Sequence, residues 1–487
     1  MYVFVWLNIY QLSAVFGIIK TSKQVNVYKS IVFEHVTCIC SVTWKFLCFR
    51  LYNIIDKRKG GEEMLKNWKK VSLATVLLSG LVLGACGNGS DGEAGSGDVT
   101  ITYSIWDKIQ QPGMEAIAEA FEADNPGIDV KVEVTPWDQY WTKLEAGAKG
   151  DSMPDVFWMH SNEIAKYATG GVLMDLSETY ANSEVTSLDH FPEELVELYS
   201  ADEAVYGIPK DYDTIGLWYN KTLFDAAGVA YPDETWNWDT MLEAAQKLND
   251  PDNGVYGILA PLNRQEGYHN FIFQNGGYVL SDDKTESGFR LDETIEAVQW
   301  YADLSVKHGV SPTQSQFAEN TNLSFFQSGR GAMGFFGSWM TGEMANNEYT
   351  AANADVAPLP QGKQAATLFN GLANSVAAST ENEEAALKFV EFLGTEEAMR
   401  LQGENGAAIP AYEGTEESFV NAYSQFNIQV YVDQMENAYI KPYSVETARW
   451  EDVENTALMS VFDGKASVAD VAADIVAGVE EVLASEK

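Results

Sequence analysis

Few side chains in this sequence are arranged for catalysis. After Cys86 the chain has four histidines, His160, His190, His269 and His308, which lie far apart and lack metal-binding spacing. Neither a Gly-x-Ser-x-Gly nucleophile motif nor a Walker phosphate-binding motif occurs in the sequence. Many carboxylates are present, but no two of them stand out as the pair that a glycoside hydrolase needs. The sequence therefore favours binding over catalysis, and we expect no metal and no cofactor.

One glycine-rich motif, Gly329-Arg-Gly331-Ala-Met-Gly334, has the spacing of a dinucleotide fingerprint. That fingerprint works only where it follows a strand and opens a helix, because the helix N-terminus then faces the pyrophosphate. Here a helix-like stretch, 322–327, precedes the glycines and an apolar stretch, 332–336, follows them. We therefore interpret the motif as a helix-to-strand turn.

Tryptophan is the strongest chemical signal in the sequence. In open α/β sheets, ligands bind beyond the carboxyl ends of the strands. Indole faces there can pack on a sugar ring while neighbouring Asp, Asn and Lys side chains bind its hydroxyls. Trp218 and Trp300 fall inside a strand and a helix, where core packing is favoured. The tryptophans that fall at expected strand ends or loop starts are Trp106, Trp137, Trp158 and Trp339.

Alternating strands and helices must position these side chains. Apolar residues alternate in 99–105 and 128–134, and helical spacing follows each of these segments at about 114–121 and 137–149. A short apolar strand at 155–158 continues the series, so the pattern predicts βαβ units and a mostly parallel sheet. Further expected elements are 215–219, 221–227, 238–248, 293–308, 381–392 and a C-terminal amphipathic helix at 468–483.

The composition is that of a folded, strongly acidic protein. The 487 residues are 46% hydrophobic and 21% charged, and 71 acidic against 31 basic side chains give a formal net charge of −40. Nucleic acids and anionic membrane surfaces attract cationic patches, so the acidic excess argues against both as partners. The excess lies after Cys86, whereas the first 85 residues are net basic.

Residues 64–85 have the layout of a secretory signal peptide: a basic start, an apolar run and small residues at the end. Leu83-Gly84-Ala85-Cys86 resembles a bacterial lipobox, in which the cysteine is lipidated after cleavage. The alternative is an ordinary signal peptide with an incidental cysteine. We expect lipidation of Cys86, a flexible tether over 86–97, and a location on the extracellular face of the membrane of a Gram-positive-type bacterium.

Residues 1–63 do not fit in front of such a signal. They are rich in aromatic and β-branched residues and contain Cys38, Cys40 and Cys48. Because a signal peptide begins its chain, we expect translation to start at Met64 and residues 1–63 to be a spurious leader. A membrane segment at about 1–19 is the alternative.

Several blocks in order resemble a known family. They are Phe121–Val130, Pro154–Trp158, Tyr206–Pro209, Trp218–Phe224, Phe326–Met333 and Gly337-Ser338-Trp339. Together they resemble the bacterial extracellular solute-binding proteins of ABC importers, in the maltose- and oligosaccharide-binding family 1. The resemblance covers about residues 98–487.

The resemblance implies an α/β fold with two lobes, the type II periplasmic-binding-protein fold, in which hinge strands join the lobes. By resemblance, the chain crosses between lobes near 208–213, 332–337 and 409–414. Lobe one is then expected at 98–208 and 337–408, and lobe two at 214–331 and 415–487.

The resemblance also implies a set of ligand-binding positions. One departure is informative: maltose-binding relatives carry an Asp-Arg pair after the third strand, where this chain has Ser161-Asn162, which argues against maltose itself. The expected ligand-binding residues are Trp106, Asp107, Lys108, Trp137, Asp138, Tyr140, Trp158, His160, Ser161, Asn162, Asp211, Tyr268, Trp339, Asn370, Gly371 and Trp450.

The function implied is that of a monomeric, lipid-anchored binding component, not an enzyme, which captures a carbohydrate, expected to be an oligosaccharide, and delivers it to ABC permease subunits. Two alternatives remain open. The same fold could bind a polyol, glycerol phosphate or a peptide, or the chain could be a secreted glycoside hydrolase.

Overall fold

The computed structural model describes residues 99–150 and 152–486. The expected leader at 1–63, the signal peptide at 64–85, and the tether at 86–97 with Cys86 lie outside the described residues. Among the described helices, none is long and apolar enough to cross a membrane.

The described strands form two main sheets and a short hairpin. The first sheet has the order β2-β1-β3-β11-β6; the second runs β12-β7-β10-β13, with β8 and β9 also paired to β7; β4 and β5 form the hairpin. The strands are β1 (Val99–Ile105), β2 (Ile128–Val134), β3 (Val156–Met159), β4 (Ser200–Ala201), β5 (Ala204–Val205), β6 (Ile208–Pro209), β7 (Asp211–Asn220), β8 (Met333–Gly337), β9 (Ala354–Ala357), β10 (Thr367–Asn370), β11 (Ala373–Val376), β12 (Ile409–Pro410) and β13 (Ala438–Ile440).

Helices cover both sheets. The longer ones are α1 (Gln111–Asp124), α2 (Trp137–Lys149), α7 (Trp238–Leu248), α9 (Asp292–Val306), α14 (Glu383–Leu393), α15 (Glu396–Glu404), α18 (Thr447–Phe462) and α19 (Val468–Ser485). The shorter ones are α3 (Ile164–Thr169), α4 (Ser177–Asn182), α5 (Glu193–Leu198), α6 (Lys221–Ala227), α8 (His269–Gln274), α10 (Gln314–Glu319), α11 (Asn322–Gln327), α12 (Thr341–Asn346), α13 (Glu348–Asn353), α16 (Glu417–Ala422) and α17 (Gln429–Asp433). Short 3₁₀ turns occur at Leu188–His190, Pro251–Asn253, Gly288–Arg290, Ser338–Met340 and Gln434–Asn437, and a π-helical turn at Arg264–Tyr268.

The predicted βαβ order is confirmed in the first sheet. β1 pairs in parallel with both β2 and β3, so the carboxyl ends of these three strands lie at one edge. The sequence bounds of β1, β2, α2, α6, α7 and α11 coincide with those observed. The glycine-rich motif lies between α11 and β8, which confirms a helix-to-strand turn, and Gly329 has a φ of +73° that favours glycine.

The long strand β7 separates two hydrophobic cores. All ten of its residues are buried, and successive side chains point to opposite faces. Tyr212 and Trp218 join the core that also contains the first sheet, whereas Ile215 and Leu217 join the core beneath α9, α18 and α19. β7 therefore forms a wall shared by both cores, and its first residues emerge at the boundary between the two sheets.

The chain changes sheets at two tight connections. Lys210 separates β6 in the first sheet from β7 in the second, and Gly371-Leu372 separates β10 in the second from β11 in the first. The family resemblance predicts a return at 332–337, but β8 there pairs along β7 in the second sheet. β9 and β10 also pair with β7, although 337–408 is expected in lobe one. The residue ranges of the lobes stay a prediction.

Candidate functional site

A pocket of about 460 Å³ lies where the carboxyl ends of β1, β2 and β3 approach the start of β7. Loops after the first two strands contribute Trp106, Asp107 and Trp137, and His160 follows the third. The remaining lining residues are Gln110, Asp211, Tyr212, Asp213, Asn263, Gln265, Glu266, Ser338, Trp339, Leu372 and Ala408. The pocket thus draws on both sheets, at the strand edge that the sequence predicts.

Aromatic rings build the wall on the side of the first sheet. The ring centroid of Trp106 lies 5.0 Å from those of Tyr140 and Trp158 and 5.1 Å from that of Trp137, with each pair in an edge-to-face arrangement. The Trp137 ring is 5.3 Å from His160, and Trp137 is 42% exposed. Edge-to-face packing fixes Trp106 from behind, so indole surface is presented to the pocket in a fixed orientation.

His160 stays neutral in this wall. Burial lowers its pKa to about 3, and the positive charge of Lys441 acts in the same direction. Its Nδ1 accepts the backbone N–H of Asn162 at 3.1 Å, so Nε2 carries the proton. Nε2 lies 3.5 Å from Asn370 Nδ2, while the Asn370 Oδ1 has no partner among the described residues. Turning that amide by 180° would let Oδ1 accept the imidazole N–H.

A chain of polar groups connects the loop after β1 to the two connections between the sheets, 209–211 and 371–373, which we call the hinge connections. Gln110 Nε2 donates to Asp107 Oδ2 at 3.0 Å, and Lys210 Nζ donates to Gln110 Oε1 at 2.9 Å. Lys210 Nζ lies 2.7 Å from Asp211 Oδ2, and the other Asp211 oxygen accepts the Leu372 N–H at 2.7 Å. Both hinge connections, 209–211 and 371–373, are therefore joined through one carboxylate. Lys210 is almost fully buried, so breaking this pair would leave an uncompensated charge.

Carboxyl and amide groups form the opposite wall. Gln265 Nε2 donates to Asp213 Oδ1 at 3.0 Å, Asn263 Nδ2 donates to Glu266 Oε2 at 3.1 Å, and the Gly337 N–H donates to Glu266 Oε1 at 3.2 Å. Burial raises the pKa of Glu266 to about 7 and, with the charge of Asp211 nearby, raises that of Asp213 well above its usual value. Protonated carboxyls can donate as well as accept hydrogen bonds.

The pocket continues as a groove past Trp137. Two further cavities of about 280 and 230 Å³ share Trp137 with it and share Asn162, Arg264 and Glu451 with each other. Asn162 follows β3 in the first sheet, whereas Arg264 and Glu451 belong to the π turn and to α18. The groove therefore adds space for a ligand beyond the main pocket, on the side of Trp137.

The structure brings together some of the residues predicted from the sequence. The positions that line the main pocket are Trp106, Asp107, Trp137, His160, Asp211 and Trp339, and Asn162 lines the adjoining groove. They come from five separate chain segments, and the carboxyl-end rule explains why those after β1, β2 and β3 meet. Their contact with a ligand stays a prediction.

Four predicted aromatic contacts require correction because the rings are enclosed in protein. Trp450 is 0% exposed and donates from Nε1 to Ser444 Oγ at 3.0 Å, and Tyr268 is 0% exposed and donates to Glu454 Oε2 at 3.0 Å. The Trp158 Nε1 donates to the Tyr103 hydroxyl at 2.7 Å, and the Tyr140 hydroxyl donates to the Trp158 carbonyl at 2.8 Å. Tyr140 and Trp158 support Trp106 from behind, and none of these four rings lines the pocket.

The remaining predicted positions also lie off the lining. Lys108 and Asp138 are exposed, and Ser161 and Asn370 are buried. Gly371 has no side chain with which to contact a ligand. A Cβ at this position would clash with the Asp211 carbonyl oxygen. The Gly371 carbonyl accepts a hydrogen bond from the Tyr199 hydroxyl at 2.6 Å. The glycine therefore permits the close approach of the two hinge connections.

Sequence reasoning missed most of the polar wall. The missed residues of that wall are Asp213, Asn263, Gln265 and Glu266, and the polar chain that includes Gln110 and Lys210 was missed as well. One signal was available: Asp213 is two residues from Asp211 in a strand, so both point to the same side. Asn263, Gln265 and Glu266 come from the π turn, where Gly267 interrupts the helical backbone, and no local pattern indicates that this turn faces the hinge.

The described residues contain no cluster of three or more His, Cys, Asp or Glu side chains suited to hold a metal ion. The site offers aromatic surface on one side and hydrogen-bonding groups on the other. Such a site can hold a neutral, hydroxyl-rich molecule in a defined orientation.

Comparisons with known sequences identify the family of this chain. The profile of the family described as bacterial extracellular solute-binding protein matches residues 106–400. The maltooligosaccharide ABC transporter solute-binding lipoprotein of Streptococcus pneumoniae is 24% identical over 84% of this chain and 96% of its own length. The galactooligosaccharide-binding protein of Bacillus subtilis is 25% identical over 71% of this chain and 82% of its own length.

Solved structures confirm the predicted fold. An ABC substrate-binding protein of Listeria monocytogenes in complex with cycloalternan has a TM-score of 0.74 at 24% identity, covering 80% of this chain and 99% of that one. The GacH receptor of Streptomyces glaucescens has a TM-score of 0.71 at 22% identity, covering 80% of this chain and 100% of that one. The α/β, two-lobe type II periplasmic-binding-protein fold is therefore the fold of this chain. The chain belongs to the bacterial extracellular solute-binding proteins.

Proposed function

We propose that this protein is the lipid-anchored substrate-binding component of an ABC importer, which captures a carbohydrate, in particular an oligosaccharide, and delivers it to membrane permease subunits. The observation that carries the proposal is the composition of the pocket. Indole surface of Trp106 and Trp137 faces carboxyl and amide groups across about 460 Å³, and Trp339, which follows β8, lines the same pocket. Sugar rings present both an apolar face and a rim of hydroxyls, and this pocket complements both.

The geometry also supports capture by closure. The aromatic wall follows strands of the first sheet, whereas Asp211 and Asp213 begin β7 and Glu266 lies in the π turn beside it. A ligand that contacts both walls binds the closed arrangement more tightly than the open one and therefore shifts the population toward closure. The hinge connections around Lys210 and Gly371-Leu372 are the places where the two parts would rotate.

The proposals that the protein delivers its ligand to a permease and is anchored by lipid are supported by the sequence and by the relatives. Residues 64–86 have the signal and lipobox layout, and the Streptococcus pneumoniae relative is named a lipoprotein of an ABC transporter. A diacylated or triacylated Cys86 would hold the protein at the membrane while the tether leaves it free to meet the permease. We propose that the protein acts as a monomer and carries out no chemistry on its ligand.

A thermal-shift screen against neutral mono- and oligosaccharides tests the binding role. A sugar present at 100 times its dissociation constant stabilises the folded protein by about 2.7 kcal/mol, which raises the melting temperature measurably. We expect stabilisation by a subset of oligosaccharides and none by glycerol phosphate or short peptides. If polyols, glycerol phosphate or peptides stabilise the protein and no carbohydrate does, the assigned ligand class is wrong.

Recovery of the bound sugar separates binding from hydrolysis. After prolonged incubation, chromatography of the released ligand should return it unchanged, because a binding protein makes and breaks no covalent bond. A shortened sugar that accumulates with time would instead indicate glycoside hydrolase activity. Metabolic labelling with a fatty acid, compared between the wild type and Cys86→Ser, tests the anchor: label that persists in the variant would contradict it.

A further inference from the structure

One side chain, Asn162, spans the groove beside the main pocket with two hydrogen bonds, from the side of the first sheet to that of the second. Asn162 lies in the loop after β3, on the side of the first sheet. Its Nδ2 donates to Glu451 Oε2 at 3.0 Å, and its Oδ1 accepts from Lys441 Nζ at 2.6 Å. Both ends of a single amide are therefore bound to groups that follow β13 and lie on α18. We call Asn162, Lys441, Glu451 and Arg264 the Asn162 bridge.

Lys441, Glu451 and Arg264 interact with one another independently of Asn162. Lys441 Nζ lies 2.7 Å from Glu451 Oε1, and Arg264 Nη2 lies 3.2 Å from Glu451 Oε2. Arg264 also donates from Nη1 to the Glu451 carbonyl at 3.0 Å. Lys441 and Glu451 are nearly fully buried, so this ion pair is a fixed feature of that side.

The charge state of the bridge is stable over a wide pH range. Burial of Glu451 opposes ionisation, but the positive charges of Lys441 and Arg264 outweigh it and lower the pKa to about 2. The neighbouring His160 remains neutral because burial lowers its pKa to about 3. Asn162 therefore meets an ionised carboxylate and an ammonium group, and hydrogen bonds to charged groups are stronger than those between neutral groups.

Opening of the cleft would break only the Asn162 side of this network. The Lys441–Glu451–Arg264 contacts would persist, because all three lie on the same side. Asn162 would exchange two charge-assisted hydrogen bonds for bonds to water. Since neither bond involves a ligand atom, their contribution to closure is present before any ligand arrives.

We propose that Asn162 is a positioning residue that biases the ligand-free protein toward the closed cleft by bridging Glu451 and Lys441. The bridge sets the resting balance between open and closed forms, and through it the affinity for any ligand that requires closure. A bias of this kind lowers the cost of closing when ligand binds. The Asn162 bridge also blocks the groove on the Trp137 side. A ligand must therefore enter from another direction, or enter only after the bridge has broken.

The chain offers a matched control in Asn455. It lies on α18 one turn after Glu451 and lines the same groove, and its side chain makes no hydrogen bond to the described residues. Asn162→Ala and Asn455→Ala therefore remove the same chemical group from the same groove, but only the first removes the bridge. Asn162 is half-buried in a loop, so its truncation should leave the melting temperature close to that of the wild type.

Small-angle X-ray scattering of the purified, ligand-free proteins provides the test. We expect Asn162→Ala to have a larger radius of gyration than the wild type, with the closed-to-open ratio reduced about tenfold, as the loss of charge-assisted bonds implies. Asn455→Ala should scatter like the wild type. Hydrogen exchange should show faster exchange in 160–163 and 441–451 for Asn162→Ala alone.

Equal scattering and exchange for the wild type and Asn162→Ala would overturn the proposal. So would equal opening in both variants, because that would assign the effect to loss of an amide from the groove and not to the bridge. The measurement contains no sugar, so its outcome is independent of whether the proposed carbohydrate function holds.

Discussion

The two walls of the pocket are stabilised by different physical means. The wall on the first sheet is a set of rings packed edge to face, in which Trp106 contacts Tyr140, Trp158 and Trp137. The opposite wall consists of carboxyl and amide groups held by hydrogen bonds, among them Asp213 with Gln265 and Glu266 with Asn263. Ring packing fixes the orientation of the aromatic wall and does not depend on charge. The polar wall depends on which carboxyl groups are protonated and on their hydrogen-bond partners. Substitutions in the two walls should therefore differ in their effects on stability, ligand affinity and pH dependence.

The predicted ligand-binding tryptophans also fall into two groups, exposed and buried. Trp137 is 42% exposed at the pocket, whereas Trp450 is fully enclosed and bonded to Ser444. Both are predicted from the sequence to bind ligand, yet only Trp137 is accessible. One residue type thus serves two roles, and substitution should separate them.

Trp450→Ala should give the largest loss of stability. Removing a buried indole leaves a cavity, and the expected cost is about 3–5 kcal/mol of unfolding free energy. Urea denaturation measures it, and Trp450→Phe should lose much less because it keeps most of the volume. If Trp450→Ala kept wild-type stability and lost sugar affinity instead, the ring would have to reach the ligand, contrary to the packing seen here.

Lys210→Met tests the buried link at the hinge. Removal of the ammonium leaves Asp211 without its buried partner, and the expected destabilisation is about 3 kcal/mol. The exposed pair of Lys131 and Glu133 supplies the control: Lys131→Met should change the unfolding free energy by less than about 0.5 kcal/mol. Comparable losses in the two variants would show that burial of the Lys210–Asp211 pair has no special weight.

Trp137→Ala should weaken sugar binding and should cost less stability than Trp450→Ala, because the Trp137 ring is 42% exposed. Loss of the stacking surface should raise the dissociation constant about 10–30-fold, equivalent to about 1.4–2 kcal/mol, measured by isothermal titration calorimetry. Tyr231→Ala is a suitable control, because Tyr231 is 39% exposed and does not line the pocket. Wild-type affinity in Trp137→Ala would show that the aromatic wall is not part of the binding site.

Glu266 should give the polar wall a pH dependence that the aromatic wall lacks. Its pKa rises from 4.5 in the unfolded chain to about 7 in the folded protein because of burial. The folded state therefore holds the proton more tightly, and its contribution to stability is present below pH 4.5 and is lost as the pH rises through 7.

We expect this loss to be about 1–2 kcal/mol, since water reaches part of the half-buried side chain. Glu266→Gln should remove this component from the pH dependence of urea denaturation and should be more stable than the wild type at pH 8. Gln364→Ala, a change outside the pocket, should retain the wild-type slope. A Glu266→Gln profile parallel to that of the wild type would contradict the raised pKa.

Local sequence patterns predicted the aromatic wall better than the polar one. Trp106, Trp137 and His160 each follow a strand, and parallel pairing of β1, β2 and β3 brings those strand ends to one edge. That rule needs only the order of elements along the chain. It could not show that Trp158 turns into the core, because a strand-end tryptophan can point to either face.

The polar wall depends on contacts between distant segments. Gln265 and Glu266 reach Asp213 and Gly337 from residues more than 50 positions away, through a π turn with an interrupted backbone. Tyr268 and Trp450 show the same limit, since a helix period does not reveal which neighbour covers a ring. The resemblance supplied the fold, but only the three-dimensional packing separates lining residues from supporting ones.

Native mass spectrometry after incubation with a mixture of neutral oligosaccharides is the most direct test of carbohydrate binding in this pocket. We predict a single intact carbohydrate adduct on the wild type, a strongly reduced adduct on Trp137→Ala, and an undiminished adduct on Tyr231→Ala. A wild-type protein that retains no carbohydrate, while its folded mass and melting temperature are normal, would contradict the account.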